Sequence, residues 1–210
     1  MNATEDLVDD LYARERGDAA RVTVTISLYN FRDYVVPCLQ SVHGQTLDDL
    51  DLIVVDDASS DGGGEVAMAW LERNGDRFGR ATVVRHRQNR GLARARNLGF
   101  ERARTPYVFV LDCDNLLYPR CLERLRSALD CCTASFAYCY LEIFGAATGI
   151  QNVAPWKPSG LKSGNTIDAM VLLRREAWAD AGGYSTDMPF MGWEDFDLWF
   201  KMAGRNRWGV

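Results

Sequence analysis

Lysine is nearly missing from this chain. Of 24 basic residues only Lys157, Lys162 and Lys201 are lysine, and the rest are arginine. Arginine can grip phosphate bidentately, but a skew this general reads as codon bias and assigns no site. Histidine is equally scarce, with His43 and His86 alone, and none of the cysteines at 38, 113, 121, 131, 132 and 139 forms a CxxC pair. A zinc centre is therefore not expected, and free thiols of a reducing compartment account for the cysteines. No apolar run reaches the length of a membrane span, and the acidic, polar first twenty residues lack a signal-peptide pattern. The expected location is the cytoplasm, with peripheral attachment at the inner membrane face as its variant. A net charge of −5 disfavours a general nucleic-acid binder. No GxGxxG follows the first predicted strand and no GxxxxGK[ST] occurs, which excludes the dinucleotide and P-loop fingerprints. The Gly62–Gly64 run then reads as a flexible loop, not a phosphate cradle.

What is present is an α/β alternation in a chain long enough for one domain. Leu7, Val8, Leu11 and Tyr12 recur at helical spacing, so residues 1–20 are expected to be a leader or peripheral helix. Strands are predicted at 21–27, 52–55, 82–85 and from Tyr107, and helices at 33–43, up to 73, and at 92–103 and 119–129. Further on, strands are expected at 136–144 and 166–173, helices at 175–181 and 193–202, and a mobile loop at 145–164. The layout implies a mostly parallel sheet with helices on both faces, whose strand ends at Ser27, Asp57 and Asp112 share one edge.

The stretch Tyr107-Val-Phe-Val-Leu-Asp-Cys-Asp-Asn organises the rest. A strand apolar on both faces abruptly presents Asp112 and Asp114 at its carboxyl end. A like-charge pair at a ligand-binding edge is costly unless a cation neutralises it, and hard oxygens suit Mg²⁺ or Mn²⁺. A solvated acidic turn is the alternative. Glu194-Asp195 at the last helix start offers a general base, or merely acidic residues favoured there by the helix dipole.

Five separated pieces fall in one order: Ser27-Leu-Tyr-Asn30, Val54-Val-Asp-Asp-Ala-Ser-Ser-Asp-Gly62, Asn89-Arg-Gly-Leu-Ala-Arg-Ala-Arg-Asn97, Asp112-Cys-Asp114 and Gly192-Trp-Glu-Asp-Phe-Asp-Leu-Trp199. Together they resemble the inverting family-2 glycosyltransferases of GT-A fold, across residues 21–210. The resemblance implies a nucleotide-binding half at 21–115 and an acceptor half at 116–210, cut short at the C-terminus, with a small antiparallel part in the last third. It implies metal-dependent transfer of a sugar from a nucleoside diphosphate, UDP before TDP or GDP, to an acceptor hydroxyl. In that pattern Ser27, Tyr29, Asp57, Arg94, Asp112 and Cys113 would bind the nucleotide. Tyr29 would be the base platform, Asp57 the acceptor for a pyrimidine N3–H, and Cys113 would use only its backbone. Arg90 competes with Arg94, Arg96 is as readily placed on a solvated helix face, and Asp56 holds its turn. Asp114 would bind Mn²⁺ or Mg²⁺ directly, with Asp112 sharing the metal. Asp195 would be the base and Glu194 its orienting partner. Trp193 could stack on an acceptor sugar, Trp199 and Phe200 read as core, and Asp197 reads as a surface residue. The alternatives are a non-catalytic sugar-nucleotide binding module of a larger protein, or a nucleotidyltransferase. Sugar, acceptor and oligomeric state are not specified.

Overall fold

The computed structural model describes residues 8–17, 19–152, 154–188 and 192–210. Nine strands and six α-helices are assigned among them. They are β1 (Val8–Glu15), β2 (Val22–Leu28), α1 (Arg32–His43), β3 (Leu50–Asp56), α2 (Gly63–Asn74), β4 (Arg80–His86), α3 (Leu92–Arg102), β5 (Tyr107–Asp112), α4 (Cys121–Asp130), β6 (Phe136–Ala137), β7 (Leu141–Ile143), β8 (Gly149–Gln151), β9 (Leu172–Arg174), α5 (Arg175–Ala181) and α6 (Glu194–Gly204). Seven strands form one sheet in the order β1-β4-β3-β2-β5-β9-β6. The inner four, β2 to β5, run parallel, and β1 and β9 pair antiparallel to their neighbours. β7 and β8 make a separate antiparallel ribbon.

Strand period two sorts the core into two layers. Val22, Val24, Ile26 and Leu28 of β2 and Phe109 and Leu111 of β5 pack with α1, α2 and α4. Val108 and Val110 face the other way, into the layer containing α3, α5 and α6. Asp112 continues that second face, whereas Cys113 falls back into the first layer, 2% exposed. The α3 helix comes close to β2 because of Gly99: a Cβ there would overlap the Thr25 hydroxyl. One turn earlier on α3 is Arg96, and two residues on from Thr25 is Ser27, in register with Asp112.

Several expectations are corrected. Val8–Glu15 is an edge strand, not a helix. A register shift between Asp10 and Tyr12 turns both Leu11 and Tyr12 partly inward, which imitates helical spacing; Leu7 lies outside the described residues. Gly63 and Gly64 open α2 instead of looping free, and a Cβ at Gly64 would overlap Asp56 and Arg85. The strand expected at 136–144 breaks after Ala137 and resumes in the β7–β8 ribbon. The stretch 145–164 carries β8 and a 3₁₀ turn at Pro158–Ser163. Of 166–173 only Leu172 and Leu173 join the sheet, in β9. Among the described residues, no helix is long and apolar enough to cross a membrane.

Candidate active site

The carboxyl edge of the parallel strands is built from interlocked loops. Asn30, in the left-handed region at φ 56°, donates its N–H to Ser59 Oγ (3.0 Å) and accepts from the Ser60 N–H (2.9 Å). Asp61 accepts from the Arg32 N–H at 2.8 Å. Ala58 also takes a positive φ, 61°, a conformation that costs a non-glycine residue and persists only where its surroundings impose it. Tyr29 stands 46% exposed beside this lacing, available as a platform.

Asp56 and Asp57 are both buried, with different tasks. Asp56 accepts from Arg85 Nε (2.6 Å) and the Ser59 N–H (2.9 Å), so it holds the turn. Asp57 accepts from His86 Nδ1 (2.6 Å) and from the N–H groups of Arg90 (2.8 Å) and Gly91 (2.7 Å). Burial pushes its carboxyl up, but these three donors together outweigh that and hold it below the usual range. Two donors fall on Oδ1 and one on Oδ2, so Oδ2 keeps a free lone pair. Ser27 adds a buried hydroxyl that has no hydrogen-bond partner among the described residues. Arg90 binds here through its backbone; the Arg94 side chain, 36% exposed, reaches an exposed Asp187 at 3.5 Å.

Arg96 departs most from expectation. It is 2% exposed, not on a solvated face. Its Nη2 donates to Asp112 Oδ1 at 2.8 Å and its Nη1 to Glu194 Oε1 at 2.6 Å. Burial alone would pull its pKa down, but Asp112 and Glu194 more than offset this and keep it protonated. The tip of β5 and the start of α6, 82 residues apart in sequence (194 − 112), are thus clamped by one guanidinium. The signal was present: Arg96 shares a helical face with Gly99, Phe100 and Ala103, all buried.

Asp195, 8% exposed, lies next to that clamp. Its Oδ1 accepts from the Phe196 N–H (2.7 Å), a helix-start role, while its Oδ2 accepts from Asn165 Nδ2 (2.8 Å) across the cleft. Burial raises its pKa, and the Glu194 charge adds to this, against the pull of Asn165 and Arg96. A carboxylate so placed is a better base than an exposed one. Asp168, which sequence reasoning passed over, lines the same hollow as Asp195. Its carboxyl too is raised, first by burial and then by the charges of Asp112 and Asp114. Trp193 is 51% exposed and Trp199 is core, but Phe200 is 48% exposed, contrary to expectation. Asp197 pairs with Lys201 at 2.7 Å.

The donor set can be tested for a divalent ion. Asp114 is exposed, and its Oδ1 meets only Asn115 Nδ2 at 3.3 Å. Asp112 gives Oδ1 to Arg96 and keeps Oδ2. Among the described residues no group of three or more His, Cys, Asp or Glu could hold a metal. Two hard carboxylates fit Mg²⁺ or Mn²⁺ when phosphate oxygens and water complete the shell.

The family model for Glycosyl transferase family 2 matches residues 23–206. The chain belongs to that family. Among curated relatives, glycosyltransferase GlyG of Streptococcus pneumoniae is 29% identical over 104 residues, covering 50% of this chain and 33% of its own length. A Pyrobaculum calidifontis mannosyltransferase, PcManGT, solved with GDP-Man and Mn²⁺, superposes with a TM-score of 0.72 at 23% identity, over 93% of this chain and 55% of that one. TarS of S. aureus, solved with UDP-GlcNAc, gives 0.69 at 16% identity, over 86% and 52%. At these identities the solved proteins establish the shared GT-A fold. The chain spans about a third of GlyG and about half of each of the two solved proteins.

Proposed function

We propose that this family-2 domain transfers a sugar, with inversion, from a nucleoside diphosphate to an acceptor hydroxyl, assisted by Mn²⁺ or Mg²⁺. The observation that carries the reading is the Arg96 clamp, which puts the Asp112 tip and the Glu194-Asp195 helix start in one site. Had those carboxylates opened into separate regions, neither motif could serve the other.

Each residue then has a physical task. Tyr29 stacks on the base, and Asp57 Oδ2 offers its remaining lone pair to a pyrimidine N3–H, which favours UDP; PcManGT was solved with GDP-Man, so guanine is the competing base. Ser27 and the backbone at Cys113 hold the ribose. Arg94, with Arg90 as its competitor, supplies positive charge at the nucleotide end. Asp114, with Asp112 Oδ2, would hold the divalent ion, and the ion's contribution is to neutralise charge growing on the leaving diphosphate. Asp195 takes the proton from the acceptor hydroxyl, a step worth roughly 10²–10⁴-fold. Asn165 fixes the orientation of Asp195, and Glu194, neutralised by Arg96, keeps the α6 start in place.

The test is a thermal-shift panel of UDP, GDP and TDP sugars with and without Mn²⁺. A hit is followed by proton NMR of the sugar released to water. A metal-dependent shift and an inverted anomer are expected. A metal-independent shift without turnover would instead favour a sugar-nucleotide binding module.

A further inference from the structure

The hollow beside Asp195 encloses about 450 Å³, within the roughly 300–1,000 Å³ common for small-molecule sites. Its polar lining is Gln151, Asn152, Asn165, Thr166, Asp168 and Asp195, and the remainder is apolar. The lining is a built structure. The Asp168 N–H donates to Asn152 Oδ1 at 3.0 Å, and Asn152 Nδ2 donates to the Cys139 carbonyl at 3.3 Å. The Met170 N–H fixes Asp168 Oδ1 at 2.9 Å, leaving Oδ2 for a ligand. Asn152, which follows β8, adopts a positive φ of 60°.

The chemistry of that lining is one-sided. Among the described residues it offers carboxylates, carboxamides and a hydroxyl, and no lysine, arginine or histidine. The nearby cation, Arg96, is buried and engaged by Asp112 and Glu194. Such a surface satisfies a ring bearing many hydroxyls, because carboxylates accept and carboxamides both accept and donate. A carboxylate on the ring would meet Asp168 and Asp195 with no compensating cation, and a like-charge juxtaposition of that kind is strongly unfavourable. Asp195 in this lining directly follows Glu194, which Arg96 ties to Asp112, so the hollow adjoins the β5 tip where the diphosphate would be held.

We infer that the hollow receives the donor's sugar ring and selects an uncharged pyranose over a uronate, with Asp168 enforcing that choice. This rests on the glycosyl-transfer reading above. The experiment is calorimetry with Mn²⁺ of UDP, UDP-glucose and UDP-glucuronate, the two sugars differing only at C6. If GDP binds more tightly than UDP, GDP-mannose and GDP-mannuronate replace them. The uronate should bind about 100-fold more weakly than its neutral partner, as expected for an unscreened like charge. Asp168→Asn should cut that ratio to about tenfold or less while affinity for the bare nucleotide stays unchanged. Equal binding of both sugars, or a ratio untouched by Asp168→Asn, overturns the inference. If Asp168→Asn does not fold, the wild-type ratio still decides. Failure of UDP, GDP and TDP alike to bind would instead overturn the reading beneath it.

Discussion

Replacing Arg96 with methionine keeps most of the buried aliphatic volume and removes the charge. It leaves Asp112, 30% exposed at its side chain, and Glu194, 8% exposed, without their shared cation. Breaking a buried pair by deleting one partner typically costs about 3–5 kcal/mol, because the orphaned charge stays in a poor solvent. For a domain of this size each kcal/mol moves the melting temperature by about 2–4 °C, so a fall of about 6–20 °C is expected by scanning calorimetry. Arg96→Lys should fall in between, since one ammonium cannot reproduce a fork spanning two carboxylates. Adding Glu194→Gln to Arg96→Met should recover part of the loss by removing an orphaned charge. Arg94→Ala is the control: its partner Asp187 is 93% exposed, so a loss under about 1 kcal/mol is expected. If Arg96→Met melts within about 2 °C of wild type, the clamp carries no such energy and the reasoning fails.

The other predictions concern single groups. Asp195→Asn should reduce transfer by about 10²–10⁴-fold, measured as product formation. The same change should raise the melting temperature of the ligand-free protein at pH 8. The folded pKa of Asp195 lies above 3.8, so its favourable contribution exists below that value and is lost as pH rises through the folded pKa. Asp57 has the opposite sign: its folded pKa lies below 3.8, so its stabilisation is present above that value and is lost as pH falls through the folded pKa. Acid titration followed by circular dichroism should therefore show wild type losing more stability below pH 3.8 than Asp57→Asn does. Gly99→Ala should destabilise by about 1–3 kcal/mol in urea, because the new methyl must push α3 away from Thr25.

Much of this architecture could be read from the residues, because its signals are local. β5 is apolar on both faces and, like β3, ends in aspartate, while β2 alternates Val and Ile with Thr, so the strands and their shared edge followed from pattern and from the α/β alternation. Asp112 and Asp114 stood out as a like-charge pair at a strand end, and Glu194-Asp195 as an acidic pair at a helix start. Arg96 was misread because its α3 neighbours Arg94 and Arg102 are partly exposed and suggested a wet helix, whereas its partners lie in β5 and α6. Asp168 was missed because 166–173 was read as one continuous strand, whereas Asp168 lies in irregular backbone ahead of β9. The edge strand β1 was misread because one bulge changes a two-residue repeat into a three-to-four-residue one. Contacts set by distant segments and irregular backbone were the illegible part.

The central claim is that the β5 carboxylates hold the donor through a metal while Asp195 serves as the base and adds little to affinity for the donor. Calorimetric titration of the preferred nucleotide sugar, with and without Mn²⁺, into wild type, Asp114→Asn and Asp195→Asn tests it directly. The account predicts Mn²⁺-dependent binding to wild type and Asp195→Asn that is lost in Asp114→Asn. Unchanged Mn²⁺-dependent affinity in Asp114→Asn, or loss of donor binding in Asp195→Asn, would contradict it.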